Sequence, residues 1–389
     1  MHVVVIGGSG RVGRRFVSEI ARHESVTTTV ADRERPADPE QRYVELDLAD
    51  PVSLRRAVEG ADVVVNTSGP FDRWGTVVLD AAIECGVDYV DVCDDPVPTL
   101  ALLERDAAAR AAGVRAVVGL GVSPGLTNFL AVVAARELQE VDLLATFWGD
   151  SREGMEAAEA TALAHGLAAA FRTGRAAYTH LIVQTSSLVP VWRSGGLVDE
   201  RAWRTAYRVS TSRGETGVYR VIGHPEPVTV PQTARARDCI NIGTVNIGTD
   251  RLMLPFLEQV AAGELSVEAA LDGIAEALEA APEYLATPRW GERLPRNIGA
   301  AAVGRRDGVA DGVVVFPGGP VDGSMSLETA RPAVVGVLHL DEALVGVHAP
   351  EAAFGADAYL AHYAAEYWEG GMPFLLDAAG ADAVVEVER

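Results

Sequence analysis

The chain contains no lysine, so each of its 33 basic residues is an arginine. A Schiff base formed by the protein and a lysine general base are therefore excluded. Acidic residues leave a net charge of −22, which argues against nucleic acids and anionic membranes as partners. No apolar run reaches the roughly eighteen residues that a membrane span needs. The three cysteines lack metal-ligand spacing, so we predict no metal site and a reducing, cytoplasmic location.

The strongest functional pattern lies in the first thirteen residues. The β-branched run Val3–Ile6 leads directly into the sequence GGSGRVG, and apolar residues then recur at helical spacing. A strand, a tight glycine turn and a helix N-terminus in this order are typical of a site for the pyrophosphate of a dinucleotide. Because the strand enters the glycine turn at once, we expect no signal peptide. The predicted cofactor contacts here are Gly7, Ser9, Gly10, Arg11, Val12 and Gly13.

An acidic residue follows the glycine turn at the distance expected for ribose recognition. A second predicted strand, residues 26–30, leads into Asp32 and Arg33, about twenty residues beyond the turn. The Asp32 carboxylate would repel a 2′-phosphate, which favours NAD. Arg33 and Arg35 could neutralise such a phosphate, so NADP stays open. We predict NAD or NADP as the cofactor, with contacts from Asp32 and Arg33.

Strands and amphipathic helices alternate through residues 1–120, which predicts a parallel sheet covered by helices on both faces. Ligands bind such sheets at the carboxyl ends of the strands, so the loops there should contact the cofactor. Asp94, after the fifth strand, is a candidate for proton transfer, with a helix-capping role as the alternative. The further predicted cofactor contacts are Asp47, Leu48, Thr67, Ser68, Gly69, Phe71, Cys93 and Pro124.

Residues 172–237 carry ten arginines against four acidic residues, within a chain that is otherwise acidic. Arginine pairs bidentately with carboxylates, so we expect this region to bind a carboxylate-bearing substrate. A solvated surface, or contact with an acidic surface of a partner subunit, is the alternative. The predicted substrate-binding residues are Arg172, Arg175, Arg220 and Glu226.

The segment Gly-His-Pro-Glu-Pro, residues 223–227, places two titratable side chains in a rigid turn. Histidine has an ordinary pKa of about 6.5, so His224 is suited to exchange a proton with a substrate nitrogen at physiological pH. An exposed turn histidine without a catalytic role is the alternative. We predict His224 and Asp94 as the catalytic residues.

Six segments carry recognisable motifs: Val4–Gly13, Asp62–Asn66, Gly86–Asp91, Ala112–Asn128, Val303–Gly308 and Gly346–Glu351. Together and in this order they resemble the saccharopine dehydrogenase family, including its lysine 6-dehydrogenase branch. The resemblance spans most of the chain, but residues from about 150 to 215 show little of it, so substrate identity does not carry over.

The resemblance implies an α/β protein: a Rossmann-type parallel sheet domain with an inserted α+β mixed-sheet domain for substrate binding and dimerisation. The first domain would comprise residues 1–125 and about 345–389, the second residues 126–344, and the chain would form a homodimer. The family implies NAD(P)-dependent hydride transfer at a C–N bond, on CH–NH or CH–NH2 donors such as an anionic amino acid or an opine-like secondary amine. The alternatives are an NAD(P)H-dependent enoyl reductase and a non-catalytic redox sensor.

Overall fold

The computed structural model describes residues 1–149, 156–245, 247–286, 294, 296–321 and 323–387. The chain packs into two compact units. Unit 1 comprises Met1–Val133, Val228–Arg235 and Phe316–Leu375, and unit 2 comprises Ala134–Pro227, Ala236–Val315 and Leu376–Arg389. The chain therefore leaves unit 1 and returns to it twice.

The described residues form strands and helices that alternate along most of the chain. The strands are β1 His2–Ile6, β2 Thr27–Asp32, β3 Arg42–Glu45, β4 Val63–Asn66, β5 Asp88–Asp91, β6 Arg115–Val117, β7 Glu140–Gly149, β8 Leu188–Arg193, β9 Gly196–Arg201, β10 Ala206–Ser210, β11 Thr216–Val221, β12 Asp238–Thr244, β13 Ile298–Arg306, β14 Val309–Pro317, β15 Gly346–His348, β16 Phe374–Asp377 and β17 Val384–Val387. The helices are α1 Arg11–Ile20, α2 Pro51–Val58, α3 Phe71–Cys85, α4 Pro96–Leu103, α5 Asp106–Ala112, α6 Leu126–Arg136, α7 Ala157–Thr173, α8 Arg175–Ser186, α9 Glu226–Ala234, α10 Ile247–Ala262, α11 Val267–Ala280, α12 Met325–Leu338, α13 Pro350–Ala353 and α14 Ala356–Tyr367. Short 3₁₀ turns cover Pro282–Leu285 and Leu340–Glu342.

Unit 1 is built on a seven-stranded sheet with the order β15-β6-β5-β4-β1-β2-β3. Its pairings are parallel throughout. The central strands β1 and β4 are buried on both faces, which is why they consist almost entirely of valine and isoleucine. The strand order reverses between β1 and β4, so the loops after these two strands diverge and open a crevice. This is a Rossmann arrangement.

Unit 2 contains a ten-stranded mixed sheet with the main order β16-β14-β13-β7-β12-β11-β10-β17. Strand β8 joins β12, and β9 joins β8. Only the β12–β7 pairing is parallel among those described. The predicted fold class, a parallel sheet domain with a second mixed-sheet domain, is confirmed.

A helical layer of unit 2 has its own apolar core. Ala160, Ala164 and Ala168 recur every fourth residue along α7 and are completely buried. Such small side chains on one face let helices approach closely, and α7 packs against α11, whose Leu271 and Ile274 join the same core. Within the described part of the chain, no helix combines the length and the apolar character that crossing a membrane requires.

The carboxyl-terminal segments are shared between the two sheets. Strand β15 pairs with β6 at the edge of the parallel sheet, whereas β17 pairs with β10 in the mixed sheet. Packing puts residues 126–133, 228–235 and 316–344 in unit 1 and residues 376–389 in unit 2. The sequence predicts the first three ranges in the second domain and the last range in the first domain.

Candidate dinucleotide and substrate sites

The glycine turn between β1 and α1 brings backbone very close to backbone. A Cβ atom on Gly13 would lie 2.4 Å from the Gly7 carbonyl oxygen and 2.6 Å from the Gly8 Cα, so α1 can approach β1 only with glycine there. Helix α1 begins at Arg11 and has no side-chain cap. The amides of its first turn are therefore available to an anion.

The loop after β4 lies directly beside this turn. Thr67 Oγ1 donates hydrogen bonds to the carbonyl oxygens of Ile6 at 2.9 Å and Gly7 at 3.2 Å. A Cβ atom on Gly7, whose φ is 76°, would lie 2.9 Å from the backbone nitrogen of Ser68. The predicted contacts Thr67 and Ser68 thus flank the glycine turn at the point where the strand order reverses.

Asp32 lies at the carboxyl end of β2 and is fixed against the same turn. Its Oδ2 accepts a hydrogen bond from the Ser9 N–H at 2.9 Å, and its Oδ1 accepts one from the Arg33 N–H at 2.7 Å. The Ser9 hydroxyl donates to the Glu34 carbonyl at 2.6 Å. These bonds hold the carboxylate beside the glycine turn, where a dinucleotide presents its ribose.

The remaining predicted cofactor contacts follow β3 to β6. Asp47 Oδ1 accepts from the Ala49 N–H at 3.0 Å and turns the chain after β3, and Leu48 packs against the core of unit 1. Cys93 is completely buried in that core, so its side chain contributes packing and burial raises the pKa of its thiol. The others occupy loops or a helix start at this edge: Gly69 after β4, Phe71 at the first residue of α3, and Pro124 after β6.

A buried polar network, which the sequence analysis missed, connects the loops after β4, β5 and β6. Asn66 Nδ2 donates to Tyr89 Oη at 3.2 Å, and Tyr89 Oη donates to Asp91 Oδ2 at 2.9 Å. At the other end, Asn66 Oδ1 accepts from the Ser68 hydroxyl at 2.6 Å. Part of the signal was present in the sequence, because Asn66 ends a strand that is otherwise composed of valine.

Asp91 anchors this network. Its Oδ1 accepts from the backbone N–H groups of Gly119 at 2.7 Å and Cys93 at 3.0 Å. Burial raises the pKa of Asp91 from 3.8 to about 6, even though these hydrogen bonds and that of Tyr89 oppose the shift. The carboxylate therefore ties the loop after β5, which contains the predicted catalytic residue Asp94, to the loop after β6.

Asn128 joins three separate stretches of unit 1. Its Oδ1 accepts from the Gly125 N–H at 2.8 Å, and its Nδ2 donates to Glu351 Oε2 at 2.8 Å and to Thr229 Oγ1 at 3.3 Å. All three side chains are buried, and burial raises the pKa of Glu351. The loop after β6 is thereby fastened to the segment that follows β15.

One face of the unit 2 sheet carries a polar stripe. Asn241 of β12 lies opposite Thr146 of β7. Arg220 of β11 lies opposite Gly243 of β12, which is two residues from Asn241 and therefore on the same face of the sheet. Asn241 Nδ2 donates to Thr146 Oγ1 at 2.9 Å, and Asn241 Oδ1 accepts from Trp148 Nε1 at 3.2 Å. Such side chains are unusual in strands that are otherwise apolar.

His224 and Glu226 meet this stripe. Glu226, the first residue of α9, is completely buried, and its Oε1 accepts from Asn241 Nδ2 at 3.0 Å. Its Oε2 lies 3.7 Å from His224 Nδ1. The His224 ring is 5.2 Å from the Trp148 ring, and the residue is only 4% exposed. His224 is therefore buried and not exposed as the alternative interpretation expects, because its ring packs beside Trp148 and Glu226.

The predicted substrate arginines differ in their surroundings. Arg220 forms a fork with Asp250, with Nη2–Oδ2 at 3.0 Å and Nε–Oδ1 at 3.2 Å, and its Nη1 is buried without a hydrogen-bond partner among the described residues. Arg172, on α7, pairs through both terminal nitrogens with Glu279 of α11 and is partly exposed. The side chain of Arg175 lies outside the described residues. Unit 2 thus places Arg220 on the face of His224 and Glu226, and Arg172 in a helix–helix ion pair.

Known proteins share both the first domain and the fold. Residues 3–117 match the family model of the saccharopine dehydrogenase NADP-binding domain. A carboxyaminopropylagmatine dehydrogenase from Synechocystis is 30% identical over 164 residues, 37% of this chain and 40% of that protein. A Mycobacterium tuberculosis protein named as a trans-acting enoyl reductase is 28% identical over 151 residues, 35% of this chain and 36% of that protein. The matches span less than half of either relative. The apo saccharopine dehydrogenase (L-Glu forming) of Saccharomyces cerevisiae aligns over 100% of both chains, with a TM-score of 0.60 and 16% identity.

A glycine turn at the reversal of a parallel sheet, with a carboxylate fixed beside it, is the site at which Rossmann domains bind a dinucleotide, and unit 1 is a domain of that class. Residues 3–117 belong to the saccharopine dehydrogenase NADP-binding domains, and the whole chain has the saccharopine dehydrogenase fold. The predicted resemblance to this family is confirmed, and the matched domain indicates a nicotinamide dinucleotide as the cofactor of the chain.

Proposed function

We propose that the protein is an NAD(P)-dependent oxidoreductase that acts at the C–N bond of a carboxylate-bearing amino acid or opine-like secondary amine. The observation that carries this proposal is the buried cluster of His224, Glu226, Asn241 and Trp148 in unit 2. Burying such groups costs free energy unless they are bonded, and an apolar acyl chain would gain nothing from them. A substrate nitrogen, in contrast, must lose or gain a proton.

His224 is the proposed proton carrier for the substrate nitrogen. Glu226 Oε2 lies 3.7 Å from the His224 Nδ1, so the glutamate would orient the ring for proton exchange with the substrate. Asp94 stays a second proposed proton carrier. When bound, the nicotinamide supplies or accepts the hydride, and the protein's own groups orient the substrate and move the proton.

Arg220 is the proposed ligand of the substrate carboxylate. Asp250 accepts hydrogen bonds from the Arg220 Nε and Nη2, which fixes the guanidinium plane. The buried Nη1 then has no hydrogen-bond acceptor among the described residues. A buried donor without a partner costs free energy, and a substrate carboxylate would relieve that cost. Arg172 and Arg175 remain weaker proposals for the same role, since Arg172 already pairs with Glu279.

We propose NAD as the preferred cofactor. The support is the position of Asp32, whose carboxylate is held beside the glycine turn by the Ser9 and Arg33 amides and would repel a 2′-phosphate. The name of the matched domain favours NADP, and the exposed Arg33 and Arg35 could accommodate its extra phosphate. Binding of NADH at least tenfold tighter than NADPH is the expected result.

The alternative function is enoyl reduction, and the similarity to the Mycobacterium tuberculosis protein supports it. That reaction needs hydride delivery to a C=C bond and an apolar channel for an acyl substrate. The two proposals differ in what binds after the dinucleotide, which makes them separable.

The first experiment is a thermal-shift comparison of NAD, NADH, NADP and NADPH, alone and with amino acids, with 2-keto acids plus amines, and with enoyl thioesters. A ligand at one hundred times its dissociation constant adds about 2.7 kcal/mol of stability. An additional shift from a keto acid or amino acid supports the C–N proposal. A shift from enoyl thioesters alone supports the alternative, and no shift with any dinucleotide contradicts both.

Kinetics of two histidine variants test the role of His224. His224→Gln should lower kcat at least 100-fold, as loss of a general acid–base group does, while the dinucleotide Kd stays within about twofold. The matched control is His165→Gln, because His165 lies exposed on α7 of the same unit. Equal activities of the two variants would remove His224 from the mechanism. Light scattering of the same samples checks the proposed homodimer.

A further inference from the structure

Two histidines and a glutamate of unit 1 converge outside the residues assigned above. Helix α12 ends at Leu338, and the chain then forms a 3₁₀ turn at Leu340–Glu342, which puts His339 and Glu342 three residues apart on one face. His362, from the middle of α14, meets them. The potential ligand atoms of His339, Glu342 and His362 all lie within 4.8 Å of one another.

The three side chains already contact each other. His362 Nε2 lies 3.0 Å from Glu342 Oε1, and His339 Nδ1 lies 3.3 Å from the same oxygen. One nitrogen of each imidazole is therefore aimed at the same carboxyl oxygen, so the three potential ligand atoms already face one another.

The imidazole rings of His339 and His362 stack face to face, with centroids 3.6 Å apart and planes 16° apart. Each ring has one nitrogen near the Glu342 carboxyl group and a second nitrogen farther along the same ring. Each side chain is about one-third exposed, at 32% and 31%. Both side chains can therefore rotate until one nitrogen of each ring points at the same ion.

The scaffold beneath these side chains is well defined. Tyr359, one turn before His362 on α14, donates a hydrogen bond to the Pro332 carbonyl of α12 at 2.7 Å. The Tyr359 ring also stacks on Phe129 of α6, with centroids 4.0 Å apart. Helix α14, which carries His362, and helix α12, whose end lies next to His339, are thus fixed to each other before any ion binds, so an ion would meet a backbone scaffold that is already assembled.

We propose that His339, Glu342 and His362 bind one divalent transition-metal ion, with zinc the best match. Zinc accepts imidazole nitrogen at about 2.0–2.1 Å and carboxylate oxygen at about 2.0–2.2 Å, and three protein ligands leave a position for water. Two nitrogens and only one carboxylate do not suit magnesium or calcium, which prefer oxygen ligands. The ion would fasten the carboxyl end of α12 to α14. The proposal is independent of the proposed function.

The test is isothermal titration of the chelator-treated, full-length protein with zinc chloride. We expect one ion per chain, and at least tenfold weaker binding in His339→Asn and in His362→Asn. The control is His165→Gln, an exposed histidine of unit 2, which should bind as wild type does. Circular dichroism verifies that each variant is folded.

Cobalt substitution supplies a second readout. Cobalt in the wild-type site should give visible absorption typical of a nitrogen- and oxygen-ligated ion, and Glu342→Gln should shift or abolish it. Millimolar magnesium should not compete. Absence of zinc binding in the wild type overturns the proposal, and so does zinc binding that is unchanged in both asparagine variants, because the ion would then lie elsewhere.

Discussion

Replacing Asp91 with asparagine should change how the stability of the protein depends on pH. Burial raises the pKa of this carboxyl from 3.8 to about 6, so the folded state keeps a proton that the unfolded state releases between these values. The carboxyl therefore favours folding below about pH 4, and that contribution is lost as pH rises toward 6. One pKa unit corresponds to about 1.4 kcal/mol, so above pH 6 the ionised carboxyl lowers the free energy of unfolding by roughly 3 kcal/mol relative to low pH.

The substituted side chain in Asp91→Asn cannot ionise, so its effect on the free energy of unfolding does not change between about pH 4 and about pH 6. The variant is destabilised by a nearly constant amount at all pH values, because its amide can donate to Tyr89 Oη but leaves the Tyr89 hydroxyl hydrogen without its acceptor. Relative to wild type, the variant should therefore gain about 2 kcal/mol between about pH 4 and about pH 7.5. The direction of this change matters more than its size.

Urea unfolding at a series of pH values, followed by circular dichroism, measures this difference. The control is Asp72→Asn, because Asp72 is exposed on the first turn of α3. Its stability curve should run parallel to that of wild type. If the Asp91→Asn curve is parallel as well, the carboxyl does not titrate in the proposed window and the account of the buried network fails.

Three further predictions concern packing, ion pairing and thiol access. Gly13→Ala places a methyl group 2.4 Å from the Gly7 oxygen and should lower the free energy of unfolding by about 1–3 kcal/mol. It should also weaken NADH binding at least tenfold, as measured by fluorescence titration. The control is Gly166→Ala on α7, whose added methyl group meets no atom within 4 Å and should be neutral or slightly stabilising. Arg220→Met leaves Asp250, whose side chain is 16% exposed, without its ion pair. The free energy of unfolding measured with urea should fall by about 2 kcal/mol. Adding Asp250→Leu should restore part of this free energy, and no restoration would contradict a pairwise interaction. In the native protein only Cys85 should react promptly with a thiol reagent, since Cys93 and Cys239 are completely buried; prompt labelling of all three would show that the cores open.

The fold was predictable where local patterns are strong. The glycine turn and the valine-rich strands predict the Rossmann sheet, because a buried parallel strand must be apolar on both faces. Helix limits were harder. The pattern predicts one helix over 97–112, but the structure has α4 and α5, because the Arg105 amide bonds to the Leu102 carbonyl three residues back and tightens the end of α4.

The candidate site was predictable in part. The Asp32 position and the glycine turn follow from spacing along the chain, and the structure brings them together. The partners of the arginines could not be predicted, because Asp250 and Glu279 come from outside the arginine-rich region and reach it only through tertiary packing. The same is true of Asn128, Thr229 and Glu351, which are distant in sequence and adjacent in space.

The position of β15 has a consequence for how the chain is made. Gly346 pairs with Arg115, so the parallel sheet lacks its last strand until more than half of the sequence has followed β6 out of the ribosome. Until then β6 offers an unpaired edge, the part of a sheet that most readily captures other chains. The mixed sheet waits even longer, because β17 pairs with β10. The parallel sheet therefore passes through a state in which the β6 edge is exposed, and a chaperone that covers this edge would act at that stage.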